Sequence, residues 1–179
     1  MKEPRIILLN GSVDEASAMR TVLKLLDFDK QDSKEEISLY INSPGGSILH
    51  GLAIYDTIKH ISAPVSTVCY GMAASMGAFL LSCGKKGRRF ALPHSRVLIH
   101  QPLIYVQNGF QSSQTELKRT AESLLKSREI LEEIMAENIG VSLEKIHADC
   151  ERDNWMSAEE ALEYGIIDGI LSGKGEVVG

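Results

Sequence analysis

The chain has few cysteines, no long apolar run and no large excess of charge, and each shortage argues against a class of protein. Its three cysteines, Cys69, Cys83 and Cys150, are odd in number and lack C-x-x-C spacing. They argue against a disulfide framework and a zinc site, and they suit a reducing, cytoplasmic setting. Cys69 falls within an apolar run and reads as a small core residue. The longest nearly apolar segment, residues 72–83, is too short to span a bilayer, and the run over 6–9 is far too short for a signal peptide. A soluble chain is the expectation. A net charge of −5 offers no general affinity for polyanions, so nucleic acid is not an expected partner. The basic cluster Lys85-Lys86-Gly87-Arg88-Arg89 reads as a solvated turn. No H-E-x-x-H, P-loop or G-x-G-x-x-G pattern occurs, which leaves zinc hydrolase, nucleotide triphosphatase and dinucleotide enzyme without support.

What remains is ordinary globular composition, 44% hydrophobic and 24% charged, over 179 residues that read as a single domain, 1–179. A strand is expected over 5–10, then a helix capped by Asp14 reaching about Phe28, with Ala18, Val22, Leu25 and Leu26 inward. A strand over 37–42 and a turn over 43–46 lead to a helix capped by Ser47 that reaches about Ile61. Pro64 separates it from a strand over 65–70. This alternation argues α/β architecture with a mostly parallel sheet. Short strands follow over 88–92 and 96–100. Residues 103–113 suggest a hairpin or an apolar loop. A long helix spans 114–139, with Leu117, Ala121, Leu124, Leu131 and Met135 along one face and Gly140 as its stop. Its length suits a projecting, partner-binding helix or an ordinary surface one. Ser142 starts a short helix, Ser157-Ala158-Glu159-Glu160 matches a capping box, and Gly165 precedes a last strand over 166–171 and a polar tail.

The chemistry centres on Gly71-Met72-Ala73-Ala74-Ser75-Met76-Gly77, between an apolar strand and a helix. A serine at such a junction, among small residues, projects its hydroxyl where a carbonyl can approach, as acyl-transfer nucleophiles do. The same residues also suit a tightly packed helix start. Amide hydrolysis by serine further needs a base, a group that orients it and donors for the oxyanion. His100, in Arg96-Val97-Leu98-Ile99-His100-Gln101-Pro102, is a candidate base or a structural strand end. Asp149, Asp153 and Asp168 compete for the orienting role. Asn42-Ser43-Pro44-Gly45-Gly46 can present free backbone N–H groups or merely connect two elements.

Together these stretches, with Glu151-Arg152-Asp153-Asn154-Trp155-Met156-Ser157-Ala158, closely resemble the Clp protease proteolytic subunit (ClpP) family from about residue 5 to 171. The resemblance implies a crotonase/ClpP-like ββα superhelix with a projecting long helix. It implies Ser75 as nucleophile, His100 as base, Asp153 as the orienting carboxylate, and the Gly46 and Met76 N–H groups as the oxyanion hole. The order Ser75, His100, Asp153 also disfavours an α/β-hydrolase, which runs serine, acid, histidine. The implied activity is that of a serine endopeptidase core in a self-compartmentalising protease acting on unfolded polypeptides. Two stacked heptameric rings are implied, interlocked by the long helix, with an AAA+ unfoldase of the ClpX, ClpA or ClpC type that uses the ATP. No metal or organic cofactor is implied in this chain, and no membrane. The sequence departs from the family in starting almost at the first core strand, without the segment that forms axial loops. It also carries Leu103-Ile104-Tyr105-Val106 where the family has a glycine-rich stretch. Two other readings stay open here: a weakly active or structural ring paralogue, and a crotonase-type acyl-CoA enzyme with an oxyanion hole but no serine nucleophile.

Overall fold

Alternating strand and helix signals predict a mostly parallel sheet, and the computed structural model, which describes residues 4–102, 114–173 and 177–178, contains one. In chain order the described residues form β1 (Ile6–Asn10), α1 (Glu15–Gln31), β2 (Ile37–Ser43), α2 (Ile48–His60), β3 (Val65–Ala74) and α3 (Met76–Ser82). There follow β4 (Arg89–Ala91), β5 (Arg96–Ile99), α4 (Gln114–Ile139), α5 (Leu143–Asp149), β6 (Asn154–Met156), α6 (Ala158–Tyr164), β7 (Gly169–Leu171) and β8 (Val177–Val178). β1, β2, β3, β4 and β7 run parallel, and β8 closes antiparallel on β7. The expected hairpin or loop over 103–113 lies outside the described residues, as does part of the tail.

β3 organises the sheet. Residues 65–69 are all buried, as in a parallel strand covered on both faces. β2 lines one edge of β3, while the other edge is shared: β4 pairs with residues 67–69 and β5 with residues 72–74. That hand-over sets the carboxyl end of β5 beside the carboxyl end of β3. β6 then pairs antiparallel with β5. The sequence analysis did not anticipate β6, because three residues are too few to show an alternation.

The helices begin where their caps predict. Asp14 accepts from the Ser17 N–H at 2.8 Å while Ser17 Oγ accepts from the Asp14 N–H at 2.9 Å, and Ser157 and Glu160 form the expected capping box on α6. Each such cap contributes about 1 kcal/mol. The inward stripe of α1 differs from expectation: Ser17, Ala18, Thr21 and Leu25 are buried, Val22 is half-buried and Leu26 is exposed. Thr21 tolerates burial because its hydroxyl donates to the Ser17 carbonyl at 2.9 Å. The last strand is shorter than expected, because Ile166 and Ile167 enter the core as part of a turn before β7 begins.

α3 is buried along its whole length, whereas α4 is divided. Its carboxyl half buries Glu132, Met135, Ala136 and Ile139, but residues 114–123 are all exposed, Leu117 and Ala121 among them. The carboxyl end of α4 is anchored by the basic cluster. Lys85, Lys86 and Arg88 are exposed as expected, but Arg89 is buried and pairs with Asp168 at 2.6 Å. Arg89 Nη1 donates to the Asn138 carbonyl at 2.9 Å, and Lys86 Nζ to the Ile139 carbonyl at 3.4 Å, satisfying carbonyls that end the helix. No helix among the described residues is long and apolar enough to cross a membrane.

Candidate active site

Ser75 sits between the last residue of β3 and the first of α3, with φ 56° and ψ −119°. It is the one non-glycine residue with positive φ among those described. Such a conformation costs on the order of 1–3 kcal/mol and persists only where the surroundings enforce it. Here the Ser75 N–H donates to the Leu98 carbonyl at 2.9 Å, the Ser75 carbonyl accepts from the Phe79 N–H at 3.1 Å, and the buried α3 anchors the chain on the carboxyl side of the serine. The hydroxyl does not turn back to cap α3 and is left to the cleft beside it.

The turn after β2 lies directly against this serine. Gly45 has φ 95°, and a Cβ placed on it would stand 2.7 Å from Ser75 Cβ and 2.8 Å from the Ala74 carbonyl oxygen. Gly46, at φ 150°, would drive a Cβ into the Val13 carbonyl. The two glycines are pinned by a parallel bridge to Val13: the Val13 N–H donates to the Gly45 carbonyl at 2.8 Å, and the Ser47 N–H to the Val13 carbonyl at 2.8 Å. No other residue type allows both these backbone angles and these approaches. Met76 opens α3, where backbone N–H groups have no helical acceptor.

His100 follows the last residue of β5, beside the end of β3. The antiparallel register of β5 with β6 pairs Val97 with Met156, Leu98 with Trp155 and Ile99 with Asn154. One step further along the same register sets His100 opposite Asp153. The His100 Nδ1 to Asp153 Oδ1 distance is 3.5 Å, with the histidine side chain 14% and the aspartate 67% exposed. That is longer than a charge-assisted hydrogen bond, and such contacts tighten when substrate excludes water.

Ser75, Met76, Gly45, Gly46 and His100 all line one cleft of about 330 Å³, whose apolar wall includes Ile48, Phe79, Leu131 and Met135. Asp153 does not line it and reaches it through His100. Cys150 also lines the cleft, but burial pushes its thiol up to about 12, so it carries little thiolate to compete as a nucleophile. The two rival carboxylates are engaged elsewhere. Asp149 accepts from Lys145 at 2.8 Å and from the Tyr164 hydroxyl at 2.7 Å, and the Lys145 hydrogen bond leads in holding its carboxyl below the usual range. Asp168 is held by Arg89. His50, His60, His94 and His147 stand outside the cleft lining.

The sequence analysis missed a polar group on the cleft floor. Arg128 and Glu132 of α4 line the cleft, pair at 2.6 Å, and connect to Gln101, His147 and Glu151. The available signal was an Arg–Glu pair at i, i+4 set among Leu124, Leu131 and Met135 on the inward side of α4. A hydroxyl aimed into a cleft, an imidazole facing a carboxylate, and glycine-framed backbone donors make up a constellation suited to acyl transfer.

Comparison with known proteins agrees in kind. The Clp protease family model matches residues 1–174. The chain is 53% identical over 168 residues, covering 94% of this chain and 85% of the relative, to the ATP-dependent Clp protease proteolytic subunit of Streptococcus pneumoniae (strain 70585).

Proposed function

This chain belongs to the Clp protease family, and from that premise we propose that it is a serine endopeptidase, the proteolytic core of a Clp complex that hydrolyses unfolded polypeptides. The likeness is to a proteolytic subunit, so a purely structural ring paralogue is not favoured. The observation that carries the reading is the strained Ser75 elbow in a cleft shared with His100, whose Nδ1 faces Asp153.

In this reading Ser75 Oγ attacks the scissile carbonyl carbon while His100 takes its proton. The carbonyl oxygen becomes an oxyanion that accepts from the Gly46 and Met76 N–H groups. His100 then delivers the proton to the leaving amine, and water activated by the same imidazole hydrolyses the Ser75 ester. Asp153 keeps the proton on Nδ1 and stabilises the imidazolium. The apolar wall formed by Ile48, Phe79, Leu131 and Met135 suits an apolar substrate side chain beside the cleaved bond. Nucleophile, base and oxyanion donors all come from the chain, so the proposed chemistry calls for no metal or organic cofactor.

Membership implies self-assembly and association with Clp ATPases. The finer proposal is two stacked heptameric rings joined through α4, served by an AAA+ unfoldase of the ClpX, ClpA or ClpC type. The exposed amino half of α4, with Leu117 and Leu125 uncovered, supports a further subunit there. The three free, buried cysteines support a cytoplasmic location. Purified protein tested by native mass measurement and by hydrolysis of a short fluorogenic peptide and a stable folded protein checks the reading. Fourteen subunits that cleave the peptide and spare the folded protein are expected. An active 19.7 kDa monomer, or rapid digestion of the folded protein without ATP or partner, would contradict the enclosed chamber.

A further inference from the structure

α4 turns two charges inward, and they form the hub of a network that reaches the neighbours of both His100 and Asp153. Glu132 is 5% exposed, and a carboxylate so buried depends on its partners. Its Oε1 accepts from Arg128 Nε at 2.6 Å, and its Oε2 lies 2.8 Å from His147 Nδ1. Arg128 also donates from Nη1 to Gln101 Oε1 at 3.1 Å and from Nη2 to Glu151 Oε1 at 2.8 Å. Gln101 ties the two strand ends together: its backbone N–H donates to the Cys150 carbonyl at 2.7 Å, and its side chain to the Glu151 carbonyl at 2.9 Å.

Gln101 adjoins His100, and Glu151 stands two residues before Asp153. His147 is braced between carboxylates on two elements, Glu132 on α4 and Glu151, whose Oε1 is 3.7 Å from its Nε2; Arg128 Nη2 reaches its carbonyl at 3.4 Å. The Asp153 side chain is mostly exposed, so its place opposite His100 depends on how firmly residues 147–152 are held.

We propose that Glu132 and His147 are positioning residues that hold the His100–Asp153 contact through Arg128, Gln101 and Glu151. The proposal rests on the reading of His100 as base and Asp153 as its orienting carboxylate. Removing either member loosens the hub, and the base and its carboxylate are held less closely together although the β5–β6 pairing and the Gln101 bonds persist. The imidazolium formed during acylation is then less well partnered, so acylation slows and the acid limb of the rate profile moves to lower pH. His147 lies outside the cleft lining, so His147→Gln changes KM little, whereas Glu132 lines the cleft and its variant is read by acylation rate and acid limb rather than by KM.

The experiment compares the full-length wild type with His147→Gln, Glu132→Gln and the double variant. It follows the rate of Ser75 acylation by a fluorophosphonate from pH 5 to 9, with kcat and KM on a short peptide and native mass for assembly. Each single variant is expected to lose on the order of tenfold in acylation rate and kcat with an acid limb displaced downward, and His147→Gln does so with a near-normal KM. The double variant should be little worse than either, because both act through one network. An assembled His147→Gln or Glu132→Gln protein with the wild-type acylation rate and acid limb overturns the proposal. So does a loss that only tracks disassembly while the acid limb stays put, since that marks a structural staple. A wild type that is active but never labelled at Ser75 refutes the serine-peptidase reading instead, so the two failures are distinguishable.

Discussion

The two sides of the cleft are held by different means. On one side Ser75, Gly45, Gly46 and Met76 are fixed by backbone geometry: a positive-φ serine, a glycine pair bridged to Val13 and a fully buried helix. On the other side His100 and Asp153 extend past the ends of short strands, and a side-chain network running back to α4 secures their neighbours. The comparison teaches that the proposed nucleophile and oxyanion donors are set once the sheet forms. The alignment of the proposed base and acid, set by the β5–β6 register, depends further on how α4 and α5 dock. Changes on the backbone side should act as all-or-none defects, and changes on the network side as graded ones.

The largest effect ignores that division, because the proposed nucleophile and base would act as a unit. Ser75→Ala is expected to lower kcat by roughly 10³-fold or more, His100→Ala by about as much, and the double variant by little more. Steady-state peptidase assays on assembled protein check this. Next comes the backbone side alone. Gly46→Ala forces a side chain into the Val13 carbonyl and should cost on the order of 10²–10³-fold in kcat, as losing an oxyanion donor does. A near wild-type Gly46→Ala enzyme would show that a Cβ fits there without displacing the backbone N–H and would contradict the rigid glycine frame. Asp153→Asn probes the other side. Its side chain is 67% exposed, so water partly replaces it, and a loss of about 10²-fold is expected, with another residue orienting His100 if activity is full.

The smallest effect on turnover is expected away from both sides. Breaking the buried Arg89–Asp168 pair should destabilise the fold by about 3–5 kcal/mol while leaving turnover per folded molecule unchanged. Burial opposes ionisation of Asp168, but hydrogen bonds and charge from Arg89 outweigh it and hold the carboxyl below its ordinary 3.8. A carboxyl depressed by folding contributes stability that is fully present above its unfolded value and is lost as pH falls through the folded one. Wild-type stability should therefore fall more steeply below about pH 4 than that of Asp168→Asn, as urea unfolding at a series of pH values would reveal.

The same division explains what could be read from the sequence. Local chemistry was legible: Asp14, Ser47 and Ser157 mark helix starts, Gly45-Gly46 marks the unusual turn, and Ser75 stands at a strand-to-helix junction among small residues. Features that depend on two distant segments were not. β6 exists only because β5 offers it an edge, and the buried state of Arg89 depends on Asp168, 79 residues away. The Glu132–His147 contact depends on the docking of α5 against α4. Asp153 is the intermediate case. Residue type alone left it equal to Asp149 and Asp168, family resemblance selected it, and the β5–β6 register gives the selection a geometric reason.

Covalent labelling with site mapping tests the central claim most directly. The assembled protein is titrated with a fluorophosphonate, the adduct is located by peptide mass spectrometry, and residual peptide hydrolysis is measured on the same samples. A single adduct on Ser75, with hydrolysis falling in proportion to the labelled fraction, is the predicted result. Complete labelling of Ser75 with hydrolysis intact, or inactivation with the adduct elsewhere and none on Ser75, would contradict it.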